Sequence, residues 1–576
     1  MRGIIIKIFV LLLLTSGTGA MAQMKEIRLK IVETSDIHGN FYPYDFKQNT
    51  EHAGSLARVH AFLQKKRELY GNRLIYVDNG DILQGQPTAY YYNFINTADT
   101  HLAADMLNYM GCSVGNMGNH DVETGHAVYD RWIKDCNFPI LGANIIENKT
   151  GKPYLKPYVV IEREGAKIAV LGMITPLVPT WLPENLWAGL HFEDMISCAE
   201  KWVKVIREKE KPHIIIGLFH SGLKSLQSVP PLEDASEEIA RKVPGFDILM
   251  IGHDHRKCCK KVANIEGDSV LIVDPASNGL LVANVDVKLT MKGQELVKKE
   301  ISGCLSNVKK YGLSESFLER FRPQFEEVKT FVSRKIGTFE NTITSEDAYF
   351  GSSAFIDFIH SLQMQLGEAD ISFCAPLSFN AKIEKGDAYV RDMFSLYRYE
   401  NMLYTIRMTG KEIKNYLEMS YALWTNRMTS PEDHIMLLDN TKEDNQRSGF
   451  KNFSFNFDSA AGICYTVDVT KPEGEKITIL SMADGTPFDM NKEYKVAVNS
   501  YRGNGGGELL TKGAGIPADQ LKNRIIKATD KDLRYYMMQY IEKHGKVNPQ
   551  PMNQWKFIPE EWTVPAIARD RKLLFD

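Results

Sequence analysis

Five short clusters of acidic, amide and imidazole side chains follow one another in the first half of this chain: Asp36-Ile37-His38, Gly80-Asp81, Gly118-Asn119-His120-Asp121, His220 and Gly252-His253-Asp254-His255. An Asp and a His two residues apart say little alone, because such pairs arise by chance. Taken together, each beside or close to glycine, the clusters offer the mixed nitrogen and oxygen donors that zinc, manganese or iron accept. A carboxylate has two oxygens and can bridge two cations, and Asp81 is the candidate bridge. Two ions held roughly 3.5–4 Å apart can activate a water toward hydroxide and neutralise the charge that develops on a phosphoryl group during in-line displacement. The chemistry implied is phosphoester hydrolysis.

For these side chains to meet, the elements that carry them must deliver them to one rim. Strands are expected at 28–33, 74–77, 159–162, 167–173, 213–219, 248–251, 270–273 and 281–289, alternating with helical segments, which is the pattern of a layered α/β domain. The clusters at 34–38, 78–81, 220–222 and 252–255 each follow a strand directly, and polar residues at strand ends in such a fold converge on one side. Residues 313–342 have helical spacing with charged exposed positions and are read as a helix joining two differently organised halves. The second half is expected to be mixed α+β, with helices at 353–366 and 411–423 and strands around 463–469 and 494–498. Residues 425–450 are polar, contain Pro431, and are read as a surface excursion.

The ordered motifs, including Asn79-Gly80-Asp81-Ile82-Leu83-Gln84-Gly85 and Phe219-His220-Ser221-Gly222, resemble those of the calcineurin-like metallophosphoesterases. The match beyond residue 340 resembles the exported 5'-nucleotidase and 2',3'-cyclic-nucleotide 2'-phosphodiesterase (3'-nucleotidase) family. The resemblance implies a four-layer αββα sandwich over 23–312, joined by the helix at 313–342 to a C-terminal α+β nucleotide-binding domain at 343–576. It implies two divalent metal ions of the Mn, Zn or Fe class, one held by Asp36, His38, Asp81 and His255 and the other by Asp81, Asn119, His220 and His253. His120 is then a catalytic non-ligand that donates to the developing oxyanion, as protonated imidazole can. The family commonly orients this ring with an Asp three residues on. Glu123 stands there instead, with Asp121 or a water as the alternative partner. His52, His60, His101, His126, His191, His213 and His360 lie outside the motifs and are read as structural.

The same resemblance implies two aromatic rings that sandwich a nucleobase, matched by Phe457 and Tyr501, with Gly505 and Gly506 in the glycine-dense loop that follows. Phe453, Phe455 and Phe457 also alternate as one face of a core strand would. The stretch from Cys374 to Lys382 has no Arg where 5'-nucleotidases grip a phosphate, and Gly507 stands where the family has a ribose-binding Asp. Both departures point to the cyclic phosphodiesterase/3'-nucleotidase branch. A 5'-nucleotidase or UDP-sugar hydrolase is the alternative, favoured if Arg391, Arg398 or Arg407 lines the cleft. A non-catalytic nucleotide-binding surface protein is the alternative of another class.

Composition agrees with a small-molecule enzyme. In 576 residues, 69 Lys and Arg balance 72 Asp and Glu, and the net charge of -3 argues against a nucleic-acid polymer as partner. The expected partner is a nucleotide bound by a monomer. Arg2 and Lys7 lead into an apolar run at 8–14 and the site Ala20-Met21-Ala22, so 1–22 is read as a signal peptide and the protein as exported, periplasmic or extracellular. That run is too short to span a bilayer, so no transmembrane anchor is expected. No pairing is assigned to the eight cysteines.

Overall fold

The computed structural model describes residues 24–225, 230–439 and 449–576. The segment read as a signal peptide lies outside the described residues. No helix among the described residues is long and apolar enough to cross a membrane, and the eight cysteines are unpaired.

The first half is built on two six-stranded sheets. One runs in the order Glu295–Asn307, Leu281–Lys292, Met24–Thr34, Leu74–Asp78, Val114–Asn116, Ile140–Leu141. The other runs Lys257–Ala263, Ser269–Pro275, Ile248–Ile251, Ile214–His220, Ala166–Ile174, Tyr158–Arg163. Their inner strands, such as Leu74–Asp78, Ile214–His220 and Ile248–Ile251, are buried on both faces and carry near-continuous apolar runs. Ile31, Val77, Ile168, Val170, Ile216, Leu218 and Met250 meet between the sheets. Their neighbours point the other way: Ala169, Leu171, Phe219, Leu249 and Ile251 pack under the helices Met195–Lys209 and Ser236–Lys242. Val32 and Tyr76 pack under Leu56–Tyr70 and Leu102–Met110 on the opposite outer face. The result is the four-layer αββα sandwich, and each fully buried Val, Leu or Ile contributes about 1.5–3 kcal/mol to holding it.

Parallel pairing aligns the strand ends. Thr34 lies opposite Asp78, Ile174 opposite His220, and Phe219 opposite Ile251. Amide side chains tie the two sheets together at this edge: Asn79 donates to the Phe219 carbonyl at 3.0 Å, and Asn116 to that of Met173 at 2.8 Å.

The helix expected over 313–342 is shorter and broken: it comprises Glu315–Arg320 and Arg322–Val332, interrupted at Phe321 with Pro323 in the first turn of the second, and gives way to a strand at Lys335. Phe317, Phe321, Val328 and Val332 belong to the core of the first half. The strand Lys335–Phe339 then pairs within the second half, with Gly386–Tyr389 and Lys546–Val547.

The second half is α+β, around a five-stranded sheet ordered Ser459–Ala461, Ile371–Cys374, Glu493–Asn499, Met402–Thr409, Ile525–Asp532. The helix Gly410–Trp424 starts in a capping box, with Thr409 accepting from the Glu412 amide and Glu412 reaching back to the Thr409 amide. Of the excursion read at 425–450, residues 440–448 lie outside the described residues, and the remainder is more anchored than its polarity suggests. Met428, Ile435, Met436 and Phe450 are buried in the core, and Asp570 of the last helix accepts from the Met436 amide at 2.8 Å and meets His434 at 2.5 Å. Apolar anchors scattered among polar residues carry no period, so pattern alone does not reveal them.

The halves touch beside the strand-end rim. Asn504 donates to the Trp181 carbonyl at 3.4 Å, the Tyr90 ring lies 5.3 Å from Phe394, and the Tyr399 ring stands parallel to that of His120 at 6.4 Å.

Candidate active site

The loops that follow the strands are packed backbone against backbone. A Cβ on Gly118 would lie 2.2 Å from Asp81 Oδ1, and one on Gly252 would lie 2.0 Å from Ser35 Oγ. Glycine is therefore required beside both carboxylates. Asp36, His38, Asp81, His253 and His255 all adopt positive φ, between 48° and 79°. Non-glycine residues seldom do so, and such strain collects where side chains must be aimed for function.

The structure brings these residues into two adjoining clusters, one of Asp36, His38 and His255 and one of Asp81, His220 and His253, with candidate ligand atoms in each within 4.8 Å of one another. Asp36 Oδ2 accepts from Ser35 Oγ at 2.5 Å and the His253 amide at 3.1 Å, while Oδ1 faces His255 Nε2 at 3.2 Å. Asp81 Oδ1 accepts from the His120 amide at 2.8 Å, and Oδ2 faces His220 Nε2 at 3.1 Å. Asn119 Oδ1 lies 2.8 Å from His253 Nδ1.

The second nitrogens of three rings are already engaged. His38 Nδ1 lies 3.1 Å from Gln84 Oε1, His220 Nδ1 lies 2.7 Å from the Asn79 carbonyl, and His253 Nε2 lies 3.2 Å from Glu233 Oε1. Acceptors behind metal-binding imidazoles commonly fix the ring in this way. Asp36 Oδ1, Asp81 Oδ2 and His220 Nε2 are buried without a hydrogen-bond partner, although buried polar atoms are normally satisfied. Orphaned oxygens and nitrogens facing one another fit divalent cations in both clusters.

Burial by itself would raise the two carboxylates, but the imidazoles outweigh it: His220 and His255 hold Asp36 down, and His220 with His120 hold Asp81 well down. Burial by itself would lower His220, but Asp81 and Asp36 raise it to about 10. His38 is lowered to about 3, by burial first and then by His255. Anionic oxygens thus concentrate where positive charge is favoured.

His120 stands beside these clusters, its ring 5.5 Å from that of His38. Glu123 is its partner, with Oε2 2.5 Å from Nδ1. Against the lowering effect of burial, Asp81 and Glu123 raise this imidazole to about 9. Asp121 does not turn to the ring. Its carboxylate accepts from the amides of Asp81, Ile82, Leu83 and Gly118, at 2.9 to 3.0 Å, and clamps two ligand-bearing loops together. The aromatic face missed in the sequence is Trp181, stacked on His253 at 5.6 Å. Neither Trp181 nor Glu233 follows a strand, so no strand-end signal marks them.

Phe457 must be corrected. It is fully buried in the core of the second half, parallel to Trp424 at 5.7 Å and perpendicular to Phe450 at 5.2 Å, and cannot present a face to a ligand. Residues 454–456 form a 3-10 turn where the alternation of the three phenylalanines would also allow a core strand, so Phe455 is only partly buried at the edge of the core, stacked on Phe453 at 5.2 Å and meeting Tyr501 at 6.3 Å and 85°. Gly505 and Gly506 are buried in the loop after Tyr501, and a Cβ on Gly506 would lie 2.5 Å from the Tyr501 ring. Of the three arginines, Arg391 lies over Tyr389 at 4.1 Å and Arg407 is exposed on a strand. Arg398 lies over Tyr399 at 5.6 Å, the ring that faces His120.

Residues 29–257 match the family model for calcineurin-like phosphoesterases, and residues 335–512 that for the 5'-nucleotidase C-terminal domain. A trifunctional nucleotide phosphoesterase protein of Bacillus subtilis is 26% identical over 93% of this chain, and the chain spans 39% of that relative's length. A 2',3'-cyclic-nucleotide 2'-phosphodiesterase/3'-nucleotidase of Haemophilus influenzae is 27% identical over 95% of this chain and 90% of its own. Among solved structures, a 5'-nucleotidase precursor of Thermus thermophilus superposes with a TM-score of 0.62 at 19% identity, covering 93% of this chain and all of that one. A Staphylococcus aureus chain solved with alpha-ketoglutarate superposes at 0.77, with 21% identity and 92% coverage of this chain.

Proposed function

Since the chain belongs to the calcineurin-like phosphoesterases that carry a 5'-nucleotidase C-terminal domain, we propose that it is an exported metal-dependent nucleotide phosphohydrolase that opens 2',3'-cyclic nucleotides and dephosphorylates the 3'-nucleotides formed. The observation that carries the hydrolase reading is the pair of adjoining clusters with orphaned buried donors beside the His120 and Glu123 dyad. A purely binding protein has no need of such an arrangement.

In this reading Asp36, His38, Asp81 and His255 hold one divalent cation, and Asp81, Asn119, His220 and His253 hold another. When bound, such a pair activates water and offsets charge on the phosphoryl oxygens. The protein's own groups do the rest. Glu123 holds the Nδ1 proton of His120 and leaves Nε2 to donate to the oxygen that gains charge as the ester bond breaks. Phe455 and Tyr501 take the nucleobase, where stacking contributes about 1–3 kcal/mol per base without strong preference among bases. The segment joining the halves near 330–345 serves as the hinge that brings base site and cleavage site into register. Small-angle scattering that stays unchanged on adding a substrate analogue would remove the hinge from this scheme.

The cyclic and 3' branch is supported by the arginine-free stretch from Cys374 to Lys382 and by Gly507. The second reading, a 5'-nucleotidase or UDP-sugar hydrolase, draws on Arg398, whose guanidinium lies over the ring facing His120. Phosphate and nucleoside release from 2',3'-cAMP, 3'-AMP, 5'-AMP and UDP-glucose with added Mn²⁺, in wild type and His120→Ala, decides between them. Preference for the first two supports the proposal, preference for the last two transfers it to the second reading, and no turnover of any refutes both.

A further inference from the structure

Arg502 is 1% exposed and spends its whole guanidinium inside the protein. Nε donates to Asp458 Oδ2 and Nη2 to Asp458 Oδ1, each at 3.0 Å. Nη1 donates to Asn456 Oδ1 at 3.0 Å and the Gly506 carbonyl at 2.7 Å, and Nη2 also donates to the Phe455 carbonyl at 3.0 Å. A guanidinium has five N–H donors. All five are engaged, so none remains for a substrate phosphate.

The acceptors lie on two separate loops. Residues 455–458 carry the Phe455 ring, and residues 501–506 carry the Tyr501 ring. Asp458 is held in turn by the Tyr416 hydroxyl from the helix Gly410–Trp424. Room for the guanidinium depends on glycine at 507: its φ is +69°, and a Cβ there would lie 2.2 Å from both Arg502 Nη1 and Asn456 Oδ1.

We propose that Arg502, paired with Asp458, is a positioning residue for recognition of a planar heteroaromatic base: it locks the loops of Phe455 and Tyr501 to each other and so sets the spacing and angle of the two rings. This rests on the reading of those rings as the base site. Phe453 stacks on one face of Phe455 at 5.2 Å and 13°, which leaves the other side of the perpendicular pair Phe455 and Tyr501 for a planar base, an arrangement lost if either loop turns. Bidentate pairing also fixes orientation in a way that a single ammonium cannot. Arg502 touches neither the base nor the reacting phosphorus, so its removal acts on binding of the base and not on cleavage.

The test compares wild type with Arg502→Lys on 3'-AMP and on glycerol 1,2-cyclic phosphate, which has no base. The variant is expected to raise KM for 3'-AMP at least tenfold with kcat within twofold, and to keep kcat/KM for the base-free substrate within twofold. Equal losses on both substrates, or an unchanged KM for 3'-AMP, would overturn the proposal. Should Arg502→Lys fail to fold, Asn456→Ala removes one acceptor while leaving the ion pair, and is expected to raise the same KM about threefold; no rise overturns the proposal. Adenosine binding by calorimetry separates the two layers of inference. If wild type binds adenosine and Arg502→Lys binds it equally well, the positioning role is wrong. If wild type binds no adenosine, the base-site reading is wrong and the positioning role falls with it.

Discussion

Exchanging the two neighbouring phenylalanines for alanine, one at a time, should damage the protein in opposite ways. Phe457 is fully buried between Trp424 and Phe450, and truncating such a ring costs about 3–5 kcal/mol in lost transfer energy and cavity. Phe455 is only partly buried and its ring meets Tyr501. Its loss should cost about 1–3 kcal/mol of base stacking, which at about 1.4 kcal/mol per factor of ten is a rise in KM of about fivefold to 150-fold. The assay pairs a urea titration followed by tryptophan emission, to which the Trp424 ring beside Phe457 contributes, with steady-state kinetics on 3'-AMP. Phe457→Ala should lower the unfolding midpoint of the second half and leave KM of the surviving folded enzyme within about threefold. Phe455→Ala should do the reverse. A raised KM with an unchanged midpoint in Phe457→Ala would refute the reasoning, because a residue sealed in the core cannot lose a ligand contact without losing packing.

Asp121→Ala strands four buried amides, at about 1–3 kcal/mol for each donor left unsatisfied, and frees the loops that carry Asp81 and Asn119; elemental analysis should find less metal bound per chain. Glu123→Gln should lower kcat about tenfold to 100-fold with little change in KM, because it withdraws the carboxylate that orients His120; an unchanged kcat would hand the orienting role to another group. Chelation should abolish turnover and lower the melting temperature, and Mn²⁺ should restore both, since a ligand that binds only the folded state stabilises it. His360 is fully buried, and burial lowers its imidazole to about 3. Unfolded, it takes up a proton near pH 6.5, so between those values the unfolded chain binds more protons and stability falls as pH falls. The loss is on the order of 4 kcal/mol by pH 3 at about 1.4 kcal/mol per unit, and His360→Gln should flatten the fall of melting temperature with pH between about 6.5 and 4.

Much of the first half was legible because its signals are local. Continuous apolar runs mark strands buried on both faces, and Asp, Asn and His beside glycine mark their ends, so Asp36, His38, Asp81, Asn119, His220, His253 and His255 stand out before any folding is considered. What the spacing left open was which groups serve the others. Asp121 and Glu123 are both acids within reach of His120, and only the turn of the short helix Asn119–Val122 sends one to the backbone of the neighbouring loop and the other to the ring.

The second half hid more. Phe453, Phe455 and Phe457 have the period of a strand, yet one 3-10 turn at 454–456 reverses which ring is sealed and which is offered. No local pattern marks Arg502 as sealed, yet Asp458, Asn456 and two carbonyls use every one of its donors. Sequence by itself determined the donor types and the strands that carry them, because periodicity and glycine act over a few residues. Tertiary structure decided partners, burial and facing, because those depend on contacts between residues tens to hundreds of positions apart that no local pattern encodes.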